Sequence, residues 1–228
     1  MRITTWNIDK GGRNKIKEIL SVIKEEDSDL LVLTGFRVNH NKESIINGLK
    51  KIGYPFFIFN KKTSKHKDTI LLATKEKVTV EKYNDFRKDS FLIVKKNDIY
   101  IAAMNFTDSI SQKDLTNRFI NEVSTYKDSP LLIVGNIQTA QNYATPNSLG
   151  IVCCKKYMDF NEIGLRNCIV ECGYSNNEYT WKARKDCEYN VDFIFANNNI
   201  DLTNSYCYYN TNVKKEEISS HCLITLRL

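Results

Sequence analysis

The sequence predicts an α/β fold in which two β-sheets pack face to face and carry helices on their outer sides. Three observations lead there. Short continuous apolar runs such as Asp29–Thr34 (DLLVLT) and Pro130–Val134 have the length and composition of strands buried on both faces. Segments with apolar residues three and four apart stand between them, as amphipathic helices do. Between residues 55 and 104, five strand-like runs follow one another too closely for helical crossovers, which favours antiparallel pairing. Sheets and helices in this proportion bury their apolar faces best as layers.

Taken in order, Ile3–Ile8 reads as a strand, and Lys15–Glu25 as a helix with Ile16, Ile19, Leu20 and Ile23 on one face. The buried strand Asp29–Thr34 follows, then a second helix over Ser44–Ile52. The runs PFFIF, DTILLAT, KVTVEKY, SFLIV and DIYIAAM are rich in β-branched and aromatic residues. A helix over Gln112–Tyr126 presents Leu115, Phe119, Ile120 and Val123 on one side. Thr139–Asn161 has no periodicity and reads as a long loop or short helical pieces. The last third holds strands at EYTWKA, VDFIFA, SYCYY and CLITLRL. There is no internal repeat and no linker-like stretch, so one domain spanning residues 1–228 is expected.

Composition narrows the class. The 228 residues are 42% hydrophobic and 26% charged, as in ordinary globular chains. No apolar run reaches the roughly 18 residues of a membrane span, and MRITTWNIDK has no apolar signal core, so no membrane role and a cytoplasmic location are expected. Seven cysteines contain no CxxC pair, which argues against a zinc ribbon and for reduced, mostly buried thiols. The net charge of +6 permits a polyanionic partner without demanding one. Basic residues gather at Lys61, Lys62, Lys65 and Lys67, and again at Lys182, Arg184 and Lys185. A solvated loop is the ordinary reading of each cluster; a positive border to a cleft is the functional one.

Five segments in order carry the chemistry: ITTWNI, DLLVLTGFR, LLIVGNIQTA, NVDFIFA and ISSHCLITL. Together they resemble the ordered strand motifs of the endonuclease/exonuclease/phosphatase superfamily, and EYTWKARK resembles a segment of its bacterial exonuclease III-like branch. The resemblance spans residues 1 to 228. It implies a DNase I-like four-layer α/β sandwich and a metal-dependent phosphodiesterase site. In such a site a carboxylate holds magnesium or manganese, the metal polarises a phosphoryl oxygen, and an aspartate activates water. A histidine, oriented by a further aspartate, faces the phosphate.

Matched residue by residue, Asn7, Asp192 and His221 stand at family positions. Gly35 stands where the metal glutamate is expected and Asn136 where the water-activating aspartate is expected. Gln138 replaces an asparagine, Ser220 an aspartate, and Asn105 the histidine that many members carry. Glycine has no side chain to ligate a cation, and an amide cannot take a proton from water. Asp9 and Glu188 are the acids nearest in sequence that could compensate. For Asn7 a turn cap is the structural alternative, and for Trp181 a core position rather than a stacking platform. The expectation is a catalytically impaired member without a resident metal that keeps phosphate or nucleic-acid binding. The alternative is an active phosphodiesterase using Mg2+ or Mn2+ through rearranged ligands. A protein partner is compatible with either.

Overall fold

The computed structural model describes residues 1–59, 67–86, 89–106, 112–137, 164–172, 179–184 and 187–228. Among them, two six-stranded sheets and one two-stranded ribbon form. The first sheet runs in the order β13 (Tyr206–Asn210), β14 (Leu223–Arg227), β1 (Arg2–Asn7), β2 (Leu30–Phe36), β4 (Thr69–Thr74), β3 (Phe56–Ile58). The second runs β5 (Thr79–Phe86), β6 (Asp89–Lys96), β7 (Ile99–Phe106), β8 (Leu131–Ile137), β12 (Asp192–Ala196), β9 (Arg166–Asn167). The ribbon pairs β10 (Trp181–Arg184) with β11 (Cys187–Tyr189). Three longer helices are α1 (Ile16–Glu26), α2 (Lys42–Lys51) and α3 (Gln112–Ser124).

Each large sheet is built around one parallel pair. β1 and β2 run parallel with α1 as their crossover, and β7 and β8 run parallel with α3 as theirs. β14 lies antiparallel beside β1, and β12 antiparallel beside β8. The carboxyl ends of β1, β2, β7 and β8 and the amino ends of β4, β6, β12 and β14 therefore meet at one edge of the sandwich. The five consecutive strand-like runs divide between the sheets: β3 and β4 join the first, while β5, β6 and β7 form an antiparallel meander in the second.

Period-two alternation fills the space between the sheets. Ile3, Val32, Leu72 and Ile224 meet Leu92, Ala103, Val134 and Ile194 there. The outer face of the first sheet, with Trp6, Leu31 and Leu33, takes Ile19 and Ile23 of α1 and Ile45 and Leu49 of α2. The outer face of the second, with Phe91, Met104 and Phe195, takes Phe119 and Val123 of α3. The result is four layers, helix–sheet–sheet–helix, as the sequence predicts. Fully burying each such side chain contributes about 1.5–3 kcal/mol.

The expected loop at Thr139–Asn161 lies outside the described residues. So do Lys61, Lys62, Lys65, Lys185 and the side chains of Lys182 and Arg184. Cys168, Cys172, Cys207 and Cys222 are free thiols, and burial pushes Cys168 and Cys207 up, away from the reactive thiolate. No described helix is long and apolar enough to cross a membrane.

Gly135 shows how tightly β7 and β8 approach. Its φ is +133°, and a Cβ there would lie 2.0 Å from the Met104 carbonyl oxygen. Gly135→Ala must therefore push two central strands apart. A loss of more than about 3 kcal/mol is expected, read as a fall in the urea midpoint; a change under about 1 kcal/mol would contradict the close approach.

Candidate functional site

The inter-sheet positions change character at one end of the sandwich. Along β8 they read Leu132, Val134, then Asn136; along β7, Ile101, Ala103, then Asn105; along β12, from the other direction, Ala196, Ile194, then Asp192. β6 ends its inward series at Ser90, β2 at Thr34 and β1 at Asn7. Strand pairing aligns them. Ser90 faces Asn105, Asn105 faces Asn136, and Asn136 faces Asp192 across adjacent strands. A polar row thus crosses four strands of the second sheet, with successive members about 4.8 Å apart. Asn7 and Thr34, in register with each other, stand on the first sheet.

Asp192 is the hub. It is 1% exposed and takes a hydrogen bond from Asn136 Nδ2 at 2.7 Å on Oδ1. On Oδ2 it faces His221 Nδ1 at 2.7 Å. An ionised carboxylate only accepts, so Nδ1 carries the proton and Nε2 is the ring nitrogen left for a ligand. The same constraint turns the Asn136 carbonyl away from Asp192. The backbone N–H groups of Val191 and Asp192 both donate to Thr180 Oγ1, at 2.9 and 3.1 Å. Trp181, half-buried, stacks on His221 with ring centroids 5.8 Å apart and planes 21° apart. It is a wall of the site and not a core residue.

On the first sheet the residues that the resemblance singles out bind one another. Asn7 Oδ1 accepts the Asp9 N–H at 3.0 Å, so the turn-capping alternative is realised. Gly35 has φ +65°, and a Cβ there would lie 2.3 Å from Asn7 Oδ1. The asparagine side chain leans into the space a side chain at 35 would need. Asp9 is held by Ser220: it accepts the Ser220 N–H at 2.7 Å and the Ser220 hydroxyl at 2.9 Å. Ser219 Oγ donates to the Asn7 carbonyl at 2.6 Å and accepts the His221 N–H at 3.1 Å. These bonds tie the end of β1 to the His221 segment. Asp9 and Lys10 sit in the left-handed region, φ 49° and 50°, a conformation kept only where surrounding bonds enforce it. Asn41 Nδ2 does so from below, donating to the Gly11 and Arg13 carbonyls at 3.1 and 2.5 Å.

The structure thus brings Asn7, Gly35, Asn105, Asn136, Asp192, Ser220 and His221 to one end. Gln138 and the side chain of Glu188 lie outside the described residues. Ser90, Thr34, Thr180 and the Asp9–Ser220 clamp are additions that motif matching passes over. Ser90 and Thr34 have a readable signal, being the first polar residues at inward positions after an apolar series.

A divalent cation does not fit the described residues. Position 35 has no carboxylate, Asp9 is engaged by Ser220, and Asp192 is engaged by Asn136 and His221. Among the described residues no group of three or more metal-binding side chains converges. What the site offers instead is unmatched hydrogen-bonding capacity. Both amide atoms of Asn105, the Asn136 carbonyl oxygen, Ser90 Oγ and Thr34 Oγ1 are buried without a partner. Each such group costs about 1–3 kcal/mol while unsatisfied.

No family model and no curated protein matches the chain. Solved structures do. An AP endonuclease from Archaeoglobus fulgidus is similar with a TM-score of 0.75 at 17% identity, covering 100% of this chain and 99% of the other. The 3′-5′ exonuclease NExo from Neisseria meningitidis has a TM-score of 0.79 at 12% identity, with 100% and 99% coverage. An endonuclease/exonuclease/phosphatase from Beutenbergia cavernae has 0.72 at 14%, covering 100% of this chain and 71% of its own. At these identities the likeness establishes the fold.

The Asn136–Asp192 contact needs one amide and one carboxylate, and which residue supplies which is secondary. Asn136→Asp sets a second carboxylate 2.7 Å from the first and is expected to cost about 2–4 kcal/mol by urea unfolding at pH 8. The exchanged double variant Asn136→Asp/Asp192→Asn should recover most of that loss, since the new amide can donate to position 136 and accept from His221. Additive losses in the double variant would show that the pair is not the determinant.

Proposed function

With the fold of the endonuclease/exonuclease/phosphatase superfamily as premise, we propose that this chain binds phosphate-bearing ligands, nucleic acid foremost, without a metal and without hydrolysing them. The observation that carries this reading is the Asn136–Asp192–His221 chain. A carboxylate-oriented imidazole is kept, while the position beside it holds an amide that cannot take a proton from water. Hydrolysis needs a base for the attacking water and charge stabilisation at the phosphoryl group. Asn136 removes the first, and Gly35 with Asn7 over it removes a principal source of the second. Binding needs neither. Nearby amide and hydroxyl groups are donors a phosphate uses, and His221 Nε2 joins them when the ring is doubly protonated, with Nδ1 still donating to Asp192. The net charge of +6 attracts polyanions. A 3′ phosphatase form of NExo has been solved with a product DNA hairpin, which supports nucleic acid as the ligand class on this fold.

The test is anisotropy of labelled, phosphate-terminated oligonucleotides in EDTA. Binding should persist without divalent ions, weaken steeply with salt through counterion release, and fall at least fivefold in His221→Ala. Incubation with Mg2+ or Mn2+ should yield no cleavage. Robust metal-dependent cleavage that disappears in His221→Ala would replace this reading with the hydrolase one. Gly35→Glu alone should restore no cleavage and should lower Tm, because it meets Asn7 Oδ1 and a backbone at φ +65°.

A further inference from the structure

We propose that the polar row beneath this site recognises a vicinal cis-diol, so that the ligand is a ribose phosphate ester and not a deoxyribose one. The inference rests on the phosphate-binding reading above and adds the sugar to it.

The donors and acceptors of the row select the ligand. Asp192 accepts only, so Asn136 must turn Nδ2 toward it, and Asn136 Oδ1 is left as an unmatched acceptor. Asn105 has an unmatched acceptor, Oδ1, and an unmatched donor, Nδ2. Ser90 Oγ and Thr34 Oγ1 are unmatched and can do either. Asn105 and Asn136 are cross-strand neighbours in register, and Ser90 is the neighbour of Asn105 on the other side. A fully ionised phosphate carries acceptors alone. It could satisfy Asn105 Nδ2 and the two hydroxyls, but it would leave two buried carbonyl oxygens bare, and an unmet buried group is costly. An ammonium or guanidinium brings donors and leaves Asn105 Nδ2 bare. Two adjacent hydroxyls bring two donors for the two carbonyl oxygens and lone pairs for Asn105 Nδ2 and a serine or threonine hydroxyl.

Position and size agree. The phosphate end lies at His221, which reaches Asp192 from the segment leading into β14 of the first sheet. Asn136 and Asn105 follow at one and two strand spacings, about 5 and 10 Å along the row, which is within the reach of one sugar unit. The row is sealed from bulk water, so partners arrive only by insertion. Of the groups a nucleotide carries, a hydroxyl is the smallest that both donates and accepts, whereas a base edge needs the width of a ring. A site built to hydrogen-bond a hydroxyl rejects the analogue lacking it strongly.

Calorimetric titration in EDTA tests this with adenosine and uridine 5′-monophosphates, their 2′-deoxy counterparts, and inorganic phosphate. Oligoribonucleotides and oligodeoxyribonucleotides form a second arm that separates a strand end from a free nucleotide. The ribo forms should bind at least tenfold tighter than the deoxy forms, equally for adenine and uracil. Asn105→Leu should bind both sugars alike and raise Tm, because it removes two unmatched polar atoms. Ser90→Ala should cut the ribo preference without unfolding the chain. Equal affinity for ribo and deoxy forms overturns the proposal, as does selection by base instead of sugar. A lower Tm in Asn105→Leu would make the amide a structural necessity and also overturn it. If neither nucleotides, oligonucleotides nor phosphate bind, the underlying phosphate reading has failed, a result distinct from binding without sugar preference.

Discussion

A buried carboxylate is tolerated in a protein interior only when its charge is matched, and Asp192 sets the terms for everything around it. It sits 1% exposed at the mouth of the inter-sheet space. Leaving it unpaired would cost several kcal/mol. Asn136 and His221 meet one oxygen each, and Thr180 holds the backbone on either side of the Val191–Asp192 peptide bond. Those three partners come from β8, from the turn before β14 and from the start of the ribbon. The Asp192 side chain therefore fastens the two sheets together, and the backbone beside it holds the start of the ribbon at the same point.

That point exists because of strand direction. Two parallel pairs bring four carboxyl ends to one edge, and the antiparallel neighbours β12 and β14 return their first residues to it. In open α/β sheets this edge is the usual place for a ligand, since loops leave the layers there and side chains are no longer covered by helices. Here the inward series on β2, β6, β7, β8 and β12 runs apolar until the position at this end and then turns polar. The same alternation that closes the core thus builds the floor of the site.

Much of this could be read in the sequence for a physical reason. Apolar runs and period-two alternation determine which residues face inward, and five ordered motifs place Asn7, Asn136, Asp192 and His221 at strand ends. The division of the five consecutive strand-like runs between two sheets was not legible, because pairing partners depend on tertiary contacts and not on the runs themselves. The elements β9 and β11 and the short helices at Cys168–Glu171 and Asn212–Lys215 span two to four residues, too few for any periodicity to show. The lean of Asn7 over Gly35 could not be foreseen either. It needs the positive φ at Gly35 and the turn at Asp9, neither of which follows from composition.

The contacts on the first sheet also show why the residues at positions 35, 136 and 220 suit one another. Once position 35 lacks a side chain, Asn7 can fold back and cap the Asp9 turn. Once the turn is capped, the Asp9 carboxylate reaches the backbone and hydroxyl of Ser220, and a serine at 220 suits that contact where a second carboxylate would oppose it. Asn136 fits the same logic on the second sheet, as a donor to Asp192 where an aspartate would repel it. Gly35 leaves room for Asn7, and Ser220 and Asn136 give Asp9 and Asp192 a hydrogen-bond donor, so the three residues are mutually consistent. The polar atoms that stay unmatched, at Asn105, Asn136, Ser90 and Thr34, are not explained by that economy. Apolar side chains would fill those positions at lower cost, and local rules broken at a stability cost are the usual mark of positions kept for function.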